Sequence, residues 1–151
     1  MNNFKGLNMG LHDCLQLYIG KRITSPRKRA FKVKAQSYVL TKRVDEEQYL
    51  EIRFESGTPL RLHYWRFNLV IDLITEAKGE YVMIGSRINP QETHTIEGRL
   101  VKKAREEELS YANLHTAAFV CDLIVLCGYA EYGYMKNPKT GRRVQGVRLI
   151  K

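Results

Sequence analysis

Apolar residues recur three and four positions apart in four segments of the chain, which is the spacing of one helical face. In the first segment, Leu11 and Leu15 follow this spacing. In the second, the pattern ends just before Gly79, where a C-cap glycine belongs. The last two segments begin at Thr95 and Thr116, which are suitable N-cap residues. The predicted helices span residues 8–23, 65–78, 95–108 and 116–127.

Apolar and polar residues alternate in stretches between these helices, which is the period of a β-strand. Leu50, Ile52 and Phe54 alternate with charged residues. A turn at residues 56–59 separates them from a second alternating run, so a hairpin is expected. The predicted strands span residues 30–35 with a continuation at 38–40, then 49–55, 60–64, 80–84, 129–135 and 142–150. This mixture predicts an α+β fold.

A polar stretch at residues 86–95, which contains Pro90, predicts a long loop or linker. If the chain has two parts, residues 1–90 form a β-rich basic portion with one or two helices. Residues 91–151 then form a unit of three helices and a β-hairpin. A single compact domain is the alternative, because 151 residues suit one domain.

The composition is that of an ordinary globular protein. Hydrophobic residues make up 44% and charged residues 27% of the chain, which excludes disorder throughout. The chain has no run of about 18 apolar residues, so no transmembrane helix is expected. It also lacks the basic start and long apolar run of a secretory signal. These features predict a cytoplasmic protein with no membrane partner, in which Cys14, Cys121 and Cys127 are reduced thiols rather than disulfide partners.

Positive charge is concentrated in two parts of the chain. Lys plus Arg total 25 and Asp plus Glu total 16, so the net charge is +9. Residues 21–43 contain nine bases and no acid, and residues 113–151 contain six bases and two acids. Residues 44–85, in contrast, contain eight acids and four bases. Two basic segments that could flank one ligand favour a nucleic-acid partner over charge that serves only solubility.

The C-terminal segment has the order helix, short helix, helix and β-hairpin, and the hairpin loop contains Pro138, Gly141 and two arginines. The proline presets φ for the turn, and the glycine suits a left-handed position. The preceding helix ends in a leucine-and-glycine stop at residues 126–128, directly before a strand. This arrangement, over residues 95–151, resembles the winged-helix family of DNA-binding domains.

In winged-helix domains the third helix enters the major groove, and the wing contacts the backbone or the minor groove. The resemblance therefore implies that His115 and Thr116 lie at the start of the reading helix. It also implies that Lys139, Arg142 and Arg143 are the wing residues that contact DNA.

The predicted reading helix, residues 116–127, is almost wholly apolar. Its only charge is Asp122, which phosphates would repel, whereas a reading helix usually presents basic or amide side chains to base edges. A buried helix, in a unit that dimerises or docks another protein, is therefore the alternative, because a fold does not determine a function.

The basic run between residues 21 and 43 is a second candidate for contacts with a nucleic-acid backbone. Phe31 and Tyr38 lie among these bases, and aromatic rings can stack on unpaired nucleobases. The alternative is a solvated strand face with Phe31 in the core. The candidate binding residues of this run are Arg27, Lys28, Arg29, Lys32 and Lys34.

A metal-dependent nuclease is an alternative reading of one short motif. Glu76 and Lys78 have the Glu-x-Lys spacing of such enzymes, and Asp72 lies upstream. With magnesium as cofactor, these three residues would form the catalytic site. They fall on a predicted helix, however, where residues two apart point in different directions. No other metal or cofactor is expected, because the histidines lack ligand spacing and the chain has no glycine-rich phosphate loop.

The sequence thus predicts a non-catalytic DNA-binding protein, with DNA favoured over RNA. It would act in transcription regulation or as part of a nucleic-acid-processing complex. The nuclease and a protein-interaction module are the alternatives, and self-association as a homodimer is left open.

Overall fold

The computed structural model describes residues 9–85, 94–107 and 115–150. These residues form helices and antiparallel sheets, which confirms the α+β class. The helices are α1 (Met9–Gln16), α2 (Pro26–Phe31), α3 (Tyr64–Glu76), α4 (Ile96–Glu106) and α5 (Ala117–Leu126). The strands are β1 (Arg22–Ile23), β2 (Tyr38–Val44), β3 (Tyr49–Phe54), β4 (Pro59–His63), β5 (Val82–Met83), β6 (Ala130–Lys136) and β7 (Arg143–Leu149). Most of the predicted linker around Pro90, and the predicted short segment at 109–114, lie outside the described residues.

Strands β1 to β4 form one antiparallel sheet in their chain order. The predicted hairpin is confirmed, because Leu50 of β3 pairs with Leu62 of β4. On the other side of β3, Ile52 pairs with Leu40 of β2. All four of these side chains are fully buried, so the sheet contributes directly to the core.

The second sheet has the strand order β5, β7, β6. Strands β6 and β7 form the predicted C-terminal hairpin, in which Lys136 lies opposite Arg143. Gly141 has a φ of 74°, the left-handed conformation predicted for this loop. Strand β5 precedes the predicted boundary near residue 90, yet Val82 of β5 pairs with Val147 of β7. This sheet therefore joins strands from both sides of that boundary.

Helix α5 lies in the hydrophobic core. Val120, Cys121, Leu123 and Ile124 are fully buried and belong to one core cluster with residues of both sheets and of α3 and α4. A helix that is apolar on nearly every side is stable only when it is surrounded by other elements. Helix α5 is therefore a buried helix, which is the alternative interpretation given for this segment above.

The basic stretch that follows Ser25 is helix α2, so the prediction of a strand over residues 30–35 is wrong. The side chain of Ser25 caps the helix by accepting a hydrogen bond from the Arg27 N–H at 3.2 Å, and Pro26 occupies the first helical position. Lys32 ends the helix in a left-handed conformation with a φ of 54°. The apolar and basic residues alternate over too few positions to distinguish a strand from a short helix.

The first helix is also shorter than predicted. Helix α1 ends at Gln16, and β1 occupies residues 22–23, which the pattern had included in the helix. The Gly20 N–H donates to the Leu40 carbonyl at 2.7 Å, so the chain turns into the first sheet at this point. Among the described residues, no helix combines the length and the apolar character needed to cross a membrane.

Cys14 in α1 and Cys127, the residue after α5, form a disulfide with a Cα–Cα distance of 5.9 Å. The expectation of three reduced thiols is therefore wrong. The two residues are 113 positions apart, so their proximity depends on the packing of α1 near the end of α5. Cys121 is free and buried, and burial raises the pKa of its thiol, which makes it unreactive at neutral pH.

Candidate nucleic-acid interface

Helix α2 packs against the C-terminal hairpin through a cluster of three aromatic rings. The centroid of the Phe31 ring lies 5.2 Å from that of Tyr132 and 5.1 Å from that of Tyr134. The Tyr134 hydroxyl also donates a hydrogen bond to the Phe31 carbonyl at 3.2 Å. Tyr132 and Tyr134 alternate along β6 and share one face of the sheet. These contacts bring the two basic segments of the sequence together.

A buried carboxylate anchors α2 to α5. Asp122 accepts hydrogen bonds from Nε and Nη2 of Arg27 at 3.0 and 3.1 Å. The hydroxyls of Tyr38 and Tyr132 donate to the same carboxylate at 2.8 and 2.6 Å. Asp122 is fully buried, and a protein tolerates a buried charge only when it is paired and hydrogen-bonded. Arg27, a predicted phosphate contact, is thus bonded to a carboxylate within the protein.

This network determines the protonation of its members. Burial lowers the pKa of the Arg27 guanidinium, but the hydrogen bond to Asp122 and the negative charge of Asp122 together raise it above its ordinary value. Burial, followed by the charge of Asp122, raises the pKa of Tyr38 and Tyr132 well above the usual range. Both hydroxyls therefore keep their protons at neutral pH and donate them to the carboxylate.

The other predicted cations of this region are exposed to solvent. We refer to them as the α2–hairpin surface, which comprises Lys28, Arg29, Lys32, Lys34, Lys139, Arg142 and Arg143. Six of these side chains form no ion pair with a described residue, namely Lys28, Arg29, Lys32, Lys34, Arg142 and Arg143. Their charges are therefore available to an anionic partner.

On the other elements, carboxylates pair with many of the cations. These ion pairs are Arg22–Glu55, Lys42–Glu51, Arg43–Asp45, Arg53–Glu51, Lys102–Glu106, Lys103–Glu107 and Arg148–Glu131. Pairing of this kind reduces the field that a cation presents to an external anion. The excess positive charge of the described chain is thus expressed most clearly on the α2–hairpin surface.

The start of α5 is engaged in contacts within the protein. Thr116 is fully buried, and its hydroxyl accepts a hydrogen bond from Nη1 of Arg66 at 2.8 Å. His115 lies beside buried Glu97, with 3.8 Å between His115 Nδ1 and Glu97 Oε1. The same Glu97 oxygen accepts a hydrogen bond from the Ala117 N–H at 3.2 Å. Burial raises the pKa of Glu97, although that backbone hydrogen bond and the nearby His115 and Arg66 charges oppose the shift.

The three residues of the nuclease alternative lie on the surface. Asp72 and Glu76 are exposed, four positions apart on α3, and Lys78 follows the end of that helix. Within the three described ranges, no group of three or more His, Cys, Asp or Glu side chains could hold a metal ion. Among the described residues, Asp72 and Glu76 are therefore not part of a cluster of metal-binding side chains.

The sequence pattern does not reveal the partner of Arg27 or the exposure of Tyr134. A lone acid in an apolar helix was a signal for the first, because Asp122 needs a partner if that helix is buried. The two-residue spacing of Tyr132 and Tyr134 within the predicted strand 129–135 places both rings on one strand face, but this spacing does not identify what they pack against.

Comparison with known proteins identifies no relative. No protein-family model, no curated protein and no solved structure matches the chain. The assignment of function therefore rests on the contacts, burial and charge of the residues described above.

Proposed function

We propose that the protein binds nucleic acid, DNA in preference to RNA, through the α2–hairpin surface and without catalysing a reaction. The observation that carries this proposal is the contact of α2 with β6 through Phe31 and Tyr134. This contact joins two groups of exposed cations that, with Lys139 set aside, have no ion-pair partner among the described residues. Contacts with a phosphate backbone require clustered lysine and arginine side chains and little further geometry.

A winged-helix arrangement is part of this proposal, in modified form. Helix α3, strand β5, helices α4 and α5 and the β6–β7 hairpin follow one another along the chain, and β5, β7 and β6 form one sheet. Contacts of α3 with α4, α5 and β7 support a unit that begins at α3 rather than at residue 95. Helix α2 precedes this unit and lies against its helix α5 and strand β6, so α2 and the hairpin, and not α5, would face the nucleic acid.

A role in transcription regulation or in a nucleic-acid-processing complex, assembly as a homodimer and a cytoplasmic location remain parts of the proposal. The Cys14–Cys127 disulfide bears on the location, because disulfides persist mainly in oxidising compartments. Thiol labelling of the protein directly after cell lysis would test the cytoplasmic location, since a fully oxidised pair would count against it.

The salt dependence of binding tests the proposed function. Each phosphate contact lowers log affinity by about 0.9 per log unit of salt. Duplex DNA, single-stranded DNA and RNA are titrated at several salt concentrations with the wild type and with triple variants of each basic element. The hairpin variant carries Lys139→Ala, Arg142→Ala and Arg143→Ala, and the α2 variant carries Lys28→Ala, Arg29→Ala and Lys32→Ala.

A matched control removes the same number of charges from lysines that pair with carboxylates, namely Lys42→Ala, Lys102→Ala and Lys103→Ala. The hairpin and α2 variants should bind at least about tenfold more weakly, with a salt slope reduced by about two to three contacts, and the control should stay close to the wild type. An equal loss in all three variants, each still unfolding cooperatively, would contradict the assignment to this surface.

No observation on the described residues favours either alternative function. Cleavage of plasmid DNA by the wild type with magnesium, and its absence in a variant with Asp72→Ala and Glu76→Ala, would replace the proposal by the nuclease. Nucleic-acid binding that does not respond to salt would instead favour a protein-interaction module.

A further inference from the structure

The ring of Tyr134 on the hairpin is exposed to solvent. The two rings that the sequence pattern suggested for base stacking, those of Phe31 and Tyr38, are buried. Phe31 and Tyr38 are 3% and 1% exposed, so neither can stack on a nucleobase. Tyr134 of β6 is 42% exposed. Because Tyr134 lies between the hairpin cations and α2, its ring is within the region proposed to meet nucleic acid.

Contacts on two sides hold the Tyr134 ring in place. Its hydroxyl donates to the Phe31 carbonyl at 3.2 Å, and its ring meets the Phe31 ring in an edge-on arrangement. The Arg143 guanidinium lies 4.1 Å from the centroid of the Tyr134 ring, as in a cation–π pair. A ring that is already ordered loses little conformational entropy when a flat ligand binds.

A groove of about 330 Å³ opens beside this pair and is lined by Tyr134, Met135, Lys136, Gly141 and Arg143. Lys136 and Arg143 lie opposite each other on β6 and β7, so two cations flank the groove. Gly141 in the loop leaves open space where a larger residue would carry a side chain. The groove therefore combines a planar stacking pair with positive charge for an adjacent phosphate.

We propose that this groove is a stacking site for an unpaired nucleobase. The base stacks on the Arg143–Tyr134 pair, and Lys136 contacts a neighbouring phosphate. This inference rests on the proposed nucleic-acid binding and specifies its substrate class as nucleic acid with unpaired bases, either a single strand or a duplex with an unpaired end, bulge or junction. Bases inside a duplex are stacked on one another and reach a surface side chain only after unstacking.

The variant Arg143→Lys separates stacking from charge, because lysine keeps the charge but has no planar group. Arg99→Lys is the matched control, since Arg99 of α4 is exposed, lies outside the α2–hairpin surface and has no described aromatic partner. The ligands are a single-stranded DNA of about ten nucleotides, the same backbone with abasic sites, and the blunt-ended duplex.

The wild type should bind the single strand about tenfold more tightly than the abasic strand, and Arg143→Lys should lose most of this difference. Arg143→Lys should weaken duplex binding much less than single-strand binding, because lysine keeps the charge, and Arg99→Lys should match the wild type on every ligand. A second variant, Tyr134→Leu, should also lose the preference for unpaired bases. If Tyr134→Leu does not fold, Arg143→Lys still tests the stacking site. This variant should fold, because the Arg143 side chain makes no hydrogen bond to a described residue.

Equal affinity of the wild type for the normal and abasic strands would overturn the stacking site, as would identical behaviour of the two lysine variants. Duplex binding with a steep salt dependence would, in either case, leave the proposed function intact. Absence of binding to every nucleic acid at low salt would refute the proposed function and this inference together.

Discussion

Replacement of Arg27 by methionine is expected to destabilise the fold much more than replacement of a neighbouring cation of α2. Methionine keeps an apolar stem but removes the two guanidinium hydrogen bonds to Asp122. Asp122 then stays fully buried, with the hydroxyls of Tyr38 and Tyr132 as its remaining side-chain donors. Removal of one partner from a buried ion pair costs about 3–5 kcal/mol, because the other charge is left uncompensated.

The lower end of this range applies here. The Arg27 side chain is 18% exposed, so solvent already weakens the pair, and two tyrosine hydroxyls continue to stabilise Asp122. A loss of about 3 kcal/mol is a large part of the roughly 5–15 kcal/mol that stabilises a typical protein. For a chain of this size it corresponds to a decrease in Tm of about 6–12 °C.

Urea unfolding, followed by circular dichroism and by the fluorescence of Trp65, measures the free energy of unfolding. The matched control is Lys28→Met, an adjacent exposed position on α2, which should stay within about 0.5 kcal/mol of the wild type. The double variant Arg27→Met with Asp122→Asn should be more stable than Arg27→Met alone, because asparagine removes the unpaired charge. Equal stability of Arg27→Met and Lys28→Met would refute the reasoning and make Arg27 an ordinary surface cation.

Two further predictions concern stability. Reduction of the Cys14–Cys127 disulfide should lower the free energy of unfolding by about 2–5 kcal/mol, because the bond closes a long loop in the unfolded chain. Urea curves with and without a thiol reductant measure this loss, and a Cys14→Ser, Cys127→Ser variant should not respond to the reductant. Burial raises the pKa of Glu97 in the folded state, so the contribution of Glu97 is fully present below its unfolded pKa and is lost as the pH rises through the raised folded value. The wild type should therefore lose stability relative to Glu97→Gln over that rise, and a difference that stays constant across a series of pH values would contradict this.

Local pattern determined most of the helices and hairpins of this chain. The periodic segments predicted at 65–78, 95–108 and 116–127 correspond to α3, α4 and α5, with ends that differ by one or two residues. Such segments are predictable because their apolar spacing extends over several turns and their capping residues, such as Thr95, act on the nearest backbone. The C-terminal hairpin was predictable for the same reason, since its loop residues match the backbone conformation that the turn requires.

The tertiary structure alone decided which polar residues are buried and which charges remain available. Arg27 and Lys28 are adjacent in the same basic run, yet Arg27 is bonded to an acid 95 positions away and Lys28 is exposed. Cys14 likewise meets Cys127 only because α1 packs near the end of α5. A net charge of +9 states how much positive charge the chain carries, whereas ion pairs between distant residues determine where that charge is free. The pairing of charges and the exposure of Tyr134 depend on contacts between elements, which the period of any single segment does not encode.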